Sequence, residues 1–454
     1  MAERVDLVVI GMGPGGEEVA GSCAAAGLDV VGIERSLLGG ECPYWGCVPS
    51  KMMTRATDAL AEARRVPLLA GDSSVSPDWA PVARRIRVEA TDTWDDRVAV
   101  ERFEGKGGHF VRGEGRLAGP GRVVCGDREF EAARGVVVAT GTSPVIPPIE
   151  GLAGTPYWTN HHAIETESVP ESLVVLGGGA IGLELAQVFA RFGSRVTVVE
   201  ALDRLIALEE PEASVVIEAV LTREGLAVRT ASTAVSVEHD GNLFTVDLDH
   251  GDPVRGEKLL VAVGRRASLG SLGLDTVGLD PGARAIPVDT HLRAGEKLWS
   301  VGDCTGKGAF THVAMYQARI ATADILGRPH AEASYHALPR VTFTDPEVGA
   351  VGLTEKQARE QGIEVRTSTY PMSRSARGWI HGPGNEGVFK LVEDAARGVL
   401  VGATAMGPAG GEVLGALAVA VHARVPVQTL RDMIYAYPTL HRGIEGALEE
   451  LAAG

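Results

Sequence analysis

Two segments of the chain share one pattern: an apolar run, a glycine-rich turn, a helical stretch and a second apolar run that ends in an acid. The first copy begins with VDLVVI at 5–10 and ends at Glu34, and the second begins with SLVVL at 172–176 and ends at Glu200. Continuous apolar runs of this length are typical of strands buried in a parallel sheet. Each copy therefore predicts a strand–helix–strand unit.

The turn of each copy has the spacing GxGxxG, and the acid follows the first glycine by 23 residues. Such a turn lets a pyrophosphate approach the backbone at the helix N-terminus, and the acid accepts a hydrogen bond from a ribose hydroxyl. Two dinucleotide sites on one chain suggest hydride transfer between them, most simply from nicotinamide to flavin. The predicted residues are Gly11, Gly13, Pro14, Gly15, Gly16 and Glu34 in the first copy, and Gly177, Gly179, Ile181, Gly182 and Glu200 in the second.

Composition and charge exclude several classes of protein. The 454 residues carry a net charge of -16, which argues against nucleic acid or an anionic membrane as a main partner. No apolar run reaches the ~18 residues that span a bilayer, and the N-terminus does not resemble a signal peptide. We therefore expect a cytoplasmic protein. The five cysteines do not form a secreted disulfide framework, and no Cys/His spacing predicts a metal site.

Two of the cysteines, Cys42 and Cys47, lie close together in GGECPYWGCVPSK at 39–51. In a reducing compartment, a closely spaced pair favours redox catalysis over a structural disulfide. A helix N-terminus and the nearby Lys51 would both favour a thiolate. Two buried, unreactive thiols are the alternative.

This cysteine segment resembles the GGxCxxxGCxPSK signature of the flavoprotein disulfide reductases, which include dihydrolipoamide dehydrogenase, glutathione reductase, mycothione reductase and mercuric reductase. VVVATG, AVGRR, LWSVGDCTG and FTDPEVGAVGLTEKQA resemble further motifs of that family. The resemblance implies an α/β fold with two Rossmann-type domains, for FAD and NAD(P), and a C-terminal α+β dimerisation domain. It places FAD binding at 1–148 and 266–332, NAD(P) binding at 149–265 and the interface of a homodimer at 333–454.

The resemblance also implies an electron route from NAD(P)H through FAD to a Cys42–Cys47 disulfide and on to a small-molecule redox substrate. Cys47 would be the thiolate next to the flavin and Cys42 the thiol that meets the substrate, with Lys51 paired to Glu184 near the flavin. Glu200 favours NAD(H) over NADP(H), because a carboxylate repels a 2′-phosphate, although Arg204 could offset this. Further cofactor-binding residues implied by the resemblance are Arg35, Gly40, Glu41, Cys42, Lys51, Gly115, Thr140, Gly141, Gly264, Arg265, Gly302, Asp303 and His312.

The C-terminal segment departs from the family, whose HPTxxE motif supplies an acid–base histidine and its glutamate. Here Tyr437 occupies the histidine position and Arg442 the glutamate position. A phenol, with an ordinary pKa near 10, cannot act as a base at neutral pH. His441 and Glu445, four residues apart on an expected helix, form either a relocated dyad or a surface pair. The chain ends LEELAAG, without the C-terminal cysteine pair expected of a mercuric reductase.

Three functions remain open. The first is disulfide reduction through Cys42 and Cys47 with an unusual proton donor. The second is delivery of electrons to a quinone or another non-disulfide acceptor, which needs no histidine. The third is a non-catalytic binding subunit that keeps the fold.

Overall fold

The computed structural model describes residues 2–453, which form two compact units built from separate segments of the chain. The first unit comprises the chain to Pro49, Arg84–Val145 and Arg265–Ser334, and the second comprises Ser50–Ala83, Ile146–Gly264 and the chain from Tyr335. Within the described residues, no helix is long and apolar enough to cross a membrane.

Strands occur in both units. In chain order they are β1 (Glu3–Ile10), β2 (Val30–Glu34), β3 (Gly108–Arg112), β4 (Gly115–Leu117), β5 (Arg122–Cys125), β6 (Arg128–Val138), β7 (Ser143–Pro144), β8 (Ser172–Leu176), β9 (Arg195–Val199), β10 (Ala227–Arg229), β11 (Ala234–His239), β12 (Phe244–Leu248), β13 (Val254–Gly256), β14 (Lys258–Val261), β15 (Arg265–Arg266), β16 (Arg293–Gly295), β17 (Leu298–Ser300), β18 (Pro339–Thr342), β19 (Glu347–Gly352), β20 (Val365–Pro371), β21 (Val388–Asp394) and β22 (Val399–Gly407).

Helices alternate with many of these strands. In chain order they are α1 (Pro14–Ala25), α2 (Glu41–Tyr44), α3 (Cys47–Arg65), α4 (Ala80–Arg84), α5 (Arg97–Glu104), α6 (Asn160–Glu165), α7 (Ala180–Arg191), α8 (Pro211–Arg223), α9 (Thr311–Ile325), α10 (Glu355–Glu360), α11 (Ala376–His381), α12 (Gly410–His422), α13 (Val427–Asp432) and α14 (Gly443–Ala453).

The first unit is built around a sheet of order β16-β17-β6-β1-β2-β3, to which β5 and β4 are added at β6. From β17 to β3 the paired strands are parallel. Leu7 and Val9 of β1 pack into one apolar cluster with α1 and α9, while Val8 and Ile10 pack into another on the opposite face. Because both faces are covered, the strand is apolar at successive positions, which explains the continuous run in the sequence.

The second unit contains a parallel sheet of order β10-β9-β8-β14 and an antiparallel three-stranded sheet β11-β12-β13. Its C-terminal part is a five-stranded antiparallel sheet of order β18-β19-β22-β21-β20, which packs against α12 and α14. The two predicted strand–helix–strand units are thus β1-α1-β2 and β8-α7-β9. The prediction of an α/β fold with two Rossmann-type units is confirmed.

The compact units group the segments differently from the predicted domains: residues 50–83 belong to the second unit rather than to the first, and the segments predicted as the NAD(P) and interface domains fall together in that second unit. The C-terminal part of α3 is tied to α7 by polar contacts. The Arg64 guanidinium donates to the Arg191 carbonyl oxygen at 2.8 Å, and the Arg191 guanidinium pairs with Asp58 at 3.3 Å. These long-range contacts could not be read from the order of the segments.

Candidate active site

The glycine turn of the first unit is shaped by two steric requirements. Gly11 has a φ of +91°, and a Cβ there would meet the backbone of Ala139. A Cβ at Gly16 would meet the carbonyl oxygen of Gly11, so only glycine lets α1 pack this close to β1. Gly13, the residue that caps the N-terminus of α1, faces open space. Pro14 begins the helix, and Gly15 is buried within it.

The second unit repeats this geometry. Gly177 has a φ of +107°, a Cβ at Gly182 would meet the Gly177 carbonyl oxygen, and Gly179 caps α7 and faces open space. Ile181, in the first turn of α7, is partly exposed. In both units, open space at a helix N-terminus leaves room for a pyrophosphate at backbone N–H groups.

The acid at the end of the second strand is held against the glycine turn in both units. Glu34 accepts hydrogen bonds from the Met12 and Ser36 N–H groups, each at 2.8 Å. Glu200 accepts from the Gly178 N–H at 2.6 Å and from the Leu202 N–H at 2.7 Å. Each carboxylate is therefore fixed beside the position where a ribose would lie, with lone pairs left to accept from its hydroxyls.

A cluster of hydrogen-bonded polar side chains in the first unit includes three of the predicted cofactor residues. The Thr142 hydroxyl donates to Asp303 at 2.9 Å and accepts from the Arg265 guanidinium at 3.0 Å, which in turn lies 3.3 Å from Glu41. Burial raises the pKa of Asp303 although Thr142 and Arg265 oppose this. Thr142 was not predicted, because a single threonine after a strand carries no distinctive signal.

Thr140 has a buried hydroxyl without a hydrogen-bond partner among the described residues. Such a group normally acquires a partner, and a bound cofactor would supply one. The remaining predicted cofactor residues have no polar contact that defines their role. Gly40 and Gly302 cap short helical turns, Gly115 begins β4, and Gly141 and Gly264 have φ values of +61° and +127°. Arg35 is exposed, and His312 lies in the first turn of α9. The polar side chains and the open glycine turn of the first unit fit FAD. The open glycine turn and the acid of the second unit fit a nicotinamide dinucleotide.

Cys42 and Cys47 are both free thiols. Cys47 is the first residue of α3, and its sulfur lies 3.4 Å from the hydroxyl of Thr311, the first residue of α9. A hydrogen bond with Cys47, together with burial, raises the pKa of the Cys42 thiol far above its ordinary value. The position of Cys47 at the N-terminus of α3, beside the N-terminus of α9, favours negative charge on its sulfur.

The expected pair of Lys51 and Glu184 is present in the second unit, with Lys51 Nζ 2.7 Å from Glu184 Oε2. Glu184 is buried, and its other oxygen accepts from the Phe343 N–H at 2.8 Å. The ammonium group also lies 4.6 Å from the centre of the Phe343 ring. Glu184 and Phe343 thus fix the position of the lysine head group.

The C-terminal segment corrects one expectation. Helix α14 begins at Gly443, so His441 precedes it and the helical spacing expected for His441 and Glu445 does not apply. Instead, Arg442 donates to Glu445 at 2.6 Å, and its guanidinium lies 4.9 Å from the centre of the Tyr437 ring. The ring of His441 lies 6.1 Å from that of Tyr435. The structure therefore offers no support for a relocated dyad.

Comparison with known proteins places these features in a family. The profile described as "Pyridine nucleotide-disulphide oxidoreductase" matches residues 5–318, and the profile for the dimerisation domain of the same family matches residues 338–448.

Similar proteins cover nearly the whole chain. Mercuric reductase from Streptomyces lividans is 34% identical over 460 residues, covering 98% of this chain and 95% of the relative. Dihydrolipoyl dehydrogenase from Thermus scotoductus is 32% identical over 462 residues, covering 98% and 97%.

Solved structures agree. LpdA from Mycobacterium tuberculosis has a TM-score of 0.86 at 28% identity, covering 99% of this chain and 100% of that one. The Cu(II) complex of the flavoprotein disulfide reductase RclA from Escherichia coli has a TM-score of 0.86 at 25% identity, covering 98% and 99%. The chain belongs to the FAD-dependent pyridine nucleotide-disulphide oxidoreductases.

Proposed function

We propose that this enzyme passes electrons from a nicotinamide dinucleotide to a thiophilic metal ion bound by Cys42 and Cys47. The observation that carries the proposal is a thiol pair at a helix N-terminus in a chain whose acid–base histidine is replaced by Tyr437. Reduction of a disulfide substrate requires a proton for the departing thiolate, and general acid catalysis typically contributes about 10²–10⁴-fold. A metal ion held by two thiolates accepts electrons without that proton.

The chemistry of the thiols fits such an acceptor. Thiolates select soft metal ions, and binding of the ion releases the two thiol protons. Cys47 lies at a helix N-terminus, which favours a thiolate, so it supplies the first ligand and Cys42 supplies the second. Similar proteins that span almost the whole chain are mercuric reductases, and the structure of RclA is a Cu(II) complex.

The proposed reaction transfers two electrons from the nicotinamide to the metal ion. When bound, FAD supplies the relay of two electrons from the nicotinamide to the ion held by the two thiolates. For a divalent ion reduced to the metal, one NAD(P)H and one M²⁺ give NAD(P)⁺, M⁰ and one H⁺. The nicotinamide is oxidised and the ion is reduced, while Cys42 and Cys47 end as they began.

The test measures NADH and NADPH oxidation by the FAD-loaded enzyme with thiol-buffered Hg²⁺, with Cu²⁺, with a quinone and with lipoamide or glutathione disulfide. We expect turnover with a metal ion to exceed disulfide turnover by about 100-fold or more. Cys42→Ser and Cys47→Ser should each abolish it, whereas Cys125→Ala, which removes a thiol from β5, should not. Rapid lipoamide reduction would instead favour a disulfide substrate, and quinone turnover that survives both serine variants would favour a diaphorase.

For the nicotinamide donor we infer a preference for NAD(H). The Glu200 carboxylate, held against the glycine turn, would repel a 2′-phosphate. The Arg204 guanidinium, which could offset this, donates instead to the carbonyl oxygens of Ala207 at 2.8 Å and Glu209 at 3.2 Å in its own loop. We expect kcat/KM to favour NADH. A tenfold or greater preference for NADPH would refute this.

We also infer a homodimer, because the dimerisation profile covers residues 338–448. A substitution within that region that weakens association of the enzyme in solution would test this inference.

A further inference from the structure

We propose that His291, Asp324 and His330 form a binding site for a divalent transition-metal ion, best suited to Zn²⁺, in the first unit. His291 lies in the turn before β16, Asp324 in the last turn of α9 and His330 in the segment that follows. One ligand atom from each residue lies within 4.8 Å of the other two. The site is separate from the thiol pair and contains no sulfur.

The ring of His330 is oriented as in a metal ligand. Its Nδ1 donates to the carbonyl oxygen of Ala331 at 3.0 Å, since a carbonyl can only accept. In the neutral ring, Nε2 therefore carries a lone pair, and this atom lies 3.5 Å from Asp324 Oδ1. A proton on Nε2, which makes the ring an imidazolium, or a metal ion between the two atoms satisfies both acceptors. A backbone carbonyl that fixes the far nitrogen is the usual outer contact of a metal-bound histidine.

His291 supplies the third lone pair. Its Nδ1 is buried and has no hydrogen-bond partner among the described residues, an arrangement that costs about 1–3 kcal/mol unless a ligand satisfies the atom. The His291 and His330 rings stand nearly perpendicular, with centroids 5.1 Å apart. The His291 N–H donates to Asp289 at 2.8 Å, which holds the turn in place.

The Asp324 carboxylate is held in place by hydrogen bonds from Arg293 and Trp299. Arg293 Nε and Trp299 Nε1 both donate to Oδ2 at 2.7 Å, and the other end of the guanidinium donates to Oδ1, also at 2.7 Å. Oδ1 keeps a second lone pair, which faces His330. Because the carboxylate is shared with Arg293, we expect weaker binding than at a site of four thiolates.

Two imidazoles and one carboxylate suit Zn²⁺, which binds histidine nitrogen and carboxylate oxygen at about 2.0–2.2 Å and leaves a fourth position for water. The ion would connect the end of α9 to the turn before β16. A cation that binds only the folded form stabilises it, by about 2.7 kcal/mol at 100 times Kd.

The experiment uses the full-length FAD-loaded enzyme carrying Cys42→Ser and Cys47→Ser, so that the thiols cannot bind the added ion. Zn²⁺ binding is measured by competition with a chromophoric chelator, and Cu²⁺ serves as a spectroscopic probe for coordinated nitrogen. We expect one equivalent of Zn²⁺, and a Cu²⁺ spectrum with two imidazole nitrogens. His291→Ala and His330→Gln should each weaken Zn²⁺ binding at least tenfold and abolish the rise in Tm that Zn²⁺ causes.

His109→Ala is the matched control, because His109 forms an exposed pair with Asp29 at 3.4 Å but has no second histidine in that pair. It should bind Zn²⁺ as the parent does. Failure of the parent to bind one equivalent, or equal binding by the His291 and His330 variants, would overturn the proposal. Circular dichroism of each variant without metal verifies that lost binding does not reflect unfolding.

Discussion

The hydroxyl of Thr140 is the residue-level feature that most directly tests cofactor binding, since it is buried and lacks a partner among the described residues. Thr140→Val replaces it with a methyl group of similar shape. We expect FAD affinity to fall by about 0.5–1.5 kcal/mol, roughly 2- to 12-fold, because one hydrogen bond is lost. The stability of the apoprotein should be unchanged or slightly greater. Flavin titration of the apoprotein and thermal unfolding check the two parts, and an unchanged FAD affinity would contradict the assignment.

The charge distribution on the thiols gives a second residue-level prediction. The pKa of Cys42 is raised by its hydrogen bond with Cys47 and by burial, whereas the helix N-terminus at Cys47 favours a thiolate there. Two-electron reduction should therefore give a long-wavelength thiolate–flavin band that Cys47→Ser abolishes and Cys42→Ser retains. Tyr437 cannot become a cation, so no imidazole-like step in this band is expected near neutral pH. A band that survives in Cys47→Ser would refute the assignment.

The sequence predicted individual site residues only where they form a recognisable pattern. The glycines, Glu34 and Glu200 follow from spacing, and the pairing of Lys51 with Glu184 follows from resemblance. Thr142 carries no pattern of its own. His291, Asp324 and His330 were missed because the fold, rather than a short spacing, brings the end of α9 to the turn before β16.

Among the helices, α7 is anchored by a buried arginine. The Arg191 side chain is 3% exposed and contacts Glu224 at 2.6 Å, Asp345 at 2.7 Å and Asp58 at 3.3 Å. We expect Arg191→Gln to destabilise the fold by about 3–5 kcal/mol, because it removes the arginine partner of Glu224 and leaves Asp345 with Arg65 alone. Arg223→Gln, which removes an exposed pair with Glu386, should cost about 1 kcal/mol or less. Chemical denaturation at neutral pH measures both.

The cost of Arg191→Gln should depend on pH in a defined direction. Burial alone would raise the pKa of Asp345, but Arg191 and Arg65 hold it below its ordinary value. A lowered carboxyl pKa adds stability that is complete above the unfolded value of about 4 and is lost as the pH falls through the folded value. The difference between parent and variant should thus shrink below about pH 4. A difference that grows in acid would contradict this origin.

Elements were easier to predict than the contacts between them. The apolar runs of β1 and β8 predicted buried strands because both sheet faces are covered. The helix expected to carry both His441 and Glu445 begins only at Gly443, so the sequence predicted its start too early. Local signals at 438–443 did not reveal that Arg442 would contact both Tyr437 and Glu445.

For the whole molecule, the inferred homodimer predicts that exposed apolar side chains in the dimerisation region are covered by a second chain. Ile434 is 96% exposed, and Met433 and Tyr437, its neighbours in the chain, are exposed as well, so the apolar exposure is clustered rather than single. We expect Ile434→Glu to weaken dimerisation by about 2 kcal/mol or more, roughly 30-fold. Leu208→Glu is the control, because Leu208 is 83% exposed but lies outside the residues 338–448 that the dimerisation profile matches. Sedimentation over a range of concentrations measures the equilibrium, and identical behaviour of both variants would contradict the proposed interface.

Helix α9 has the thiols at one end and the histidine cluster at the other. Thr311 begins it beside Cys47, and Asp324 lies next to its last residue, so the 13 residue steps between them separate the two sites by about 20 Å. The helix dipole favours an anion at the first end and a cation at the second. That distance is more than twice the screening length of about 8 Å at physiological salt. At that separation the two sites should act nearly independently: a cation bound at the proposed Asp324 site would change the ionisation of Cys47 little, so binding at one site would not disturb the proposed chemistry at the other.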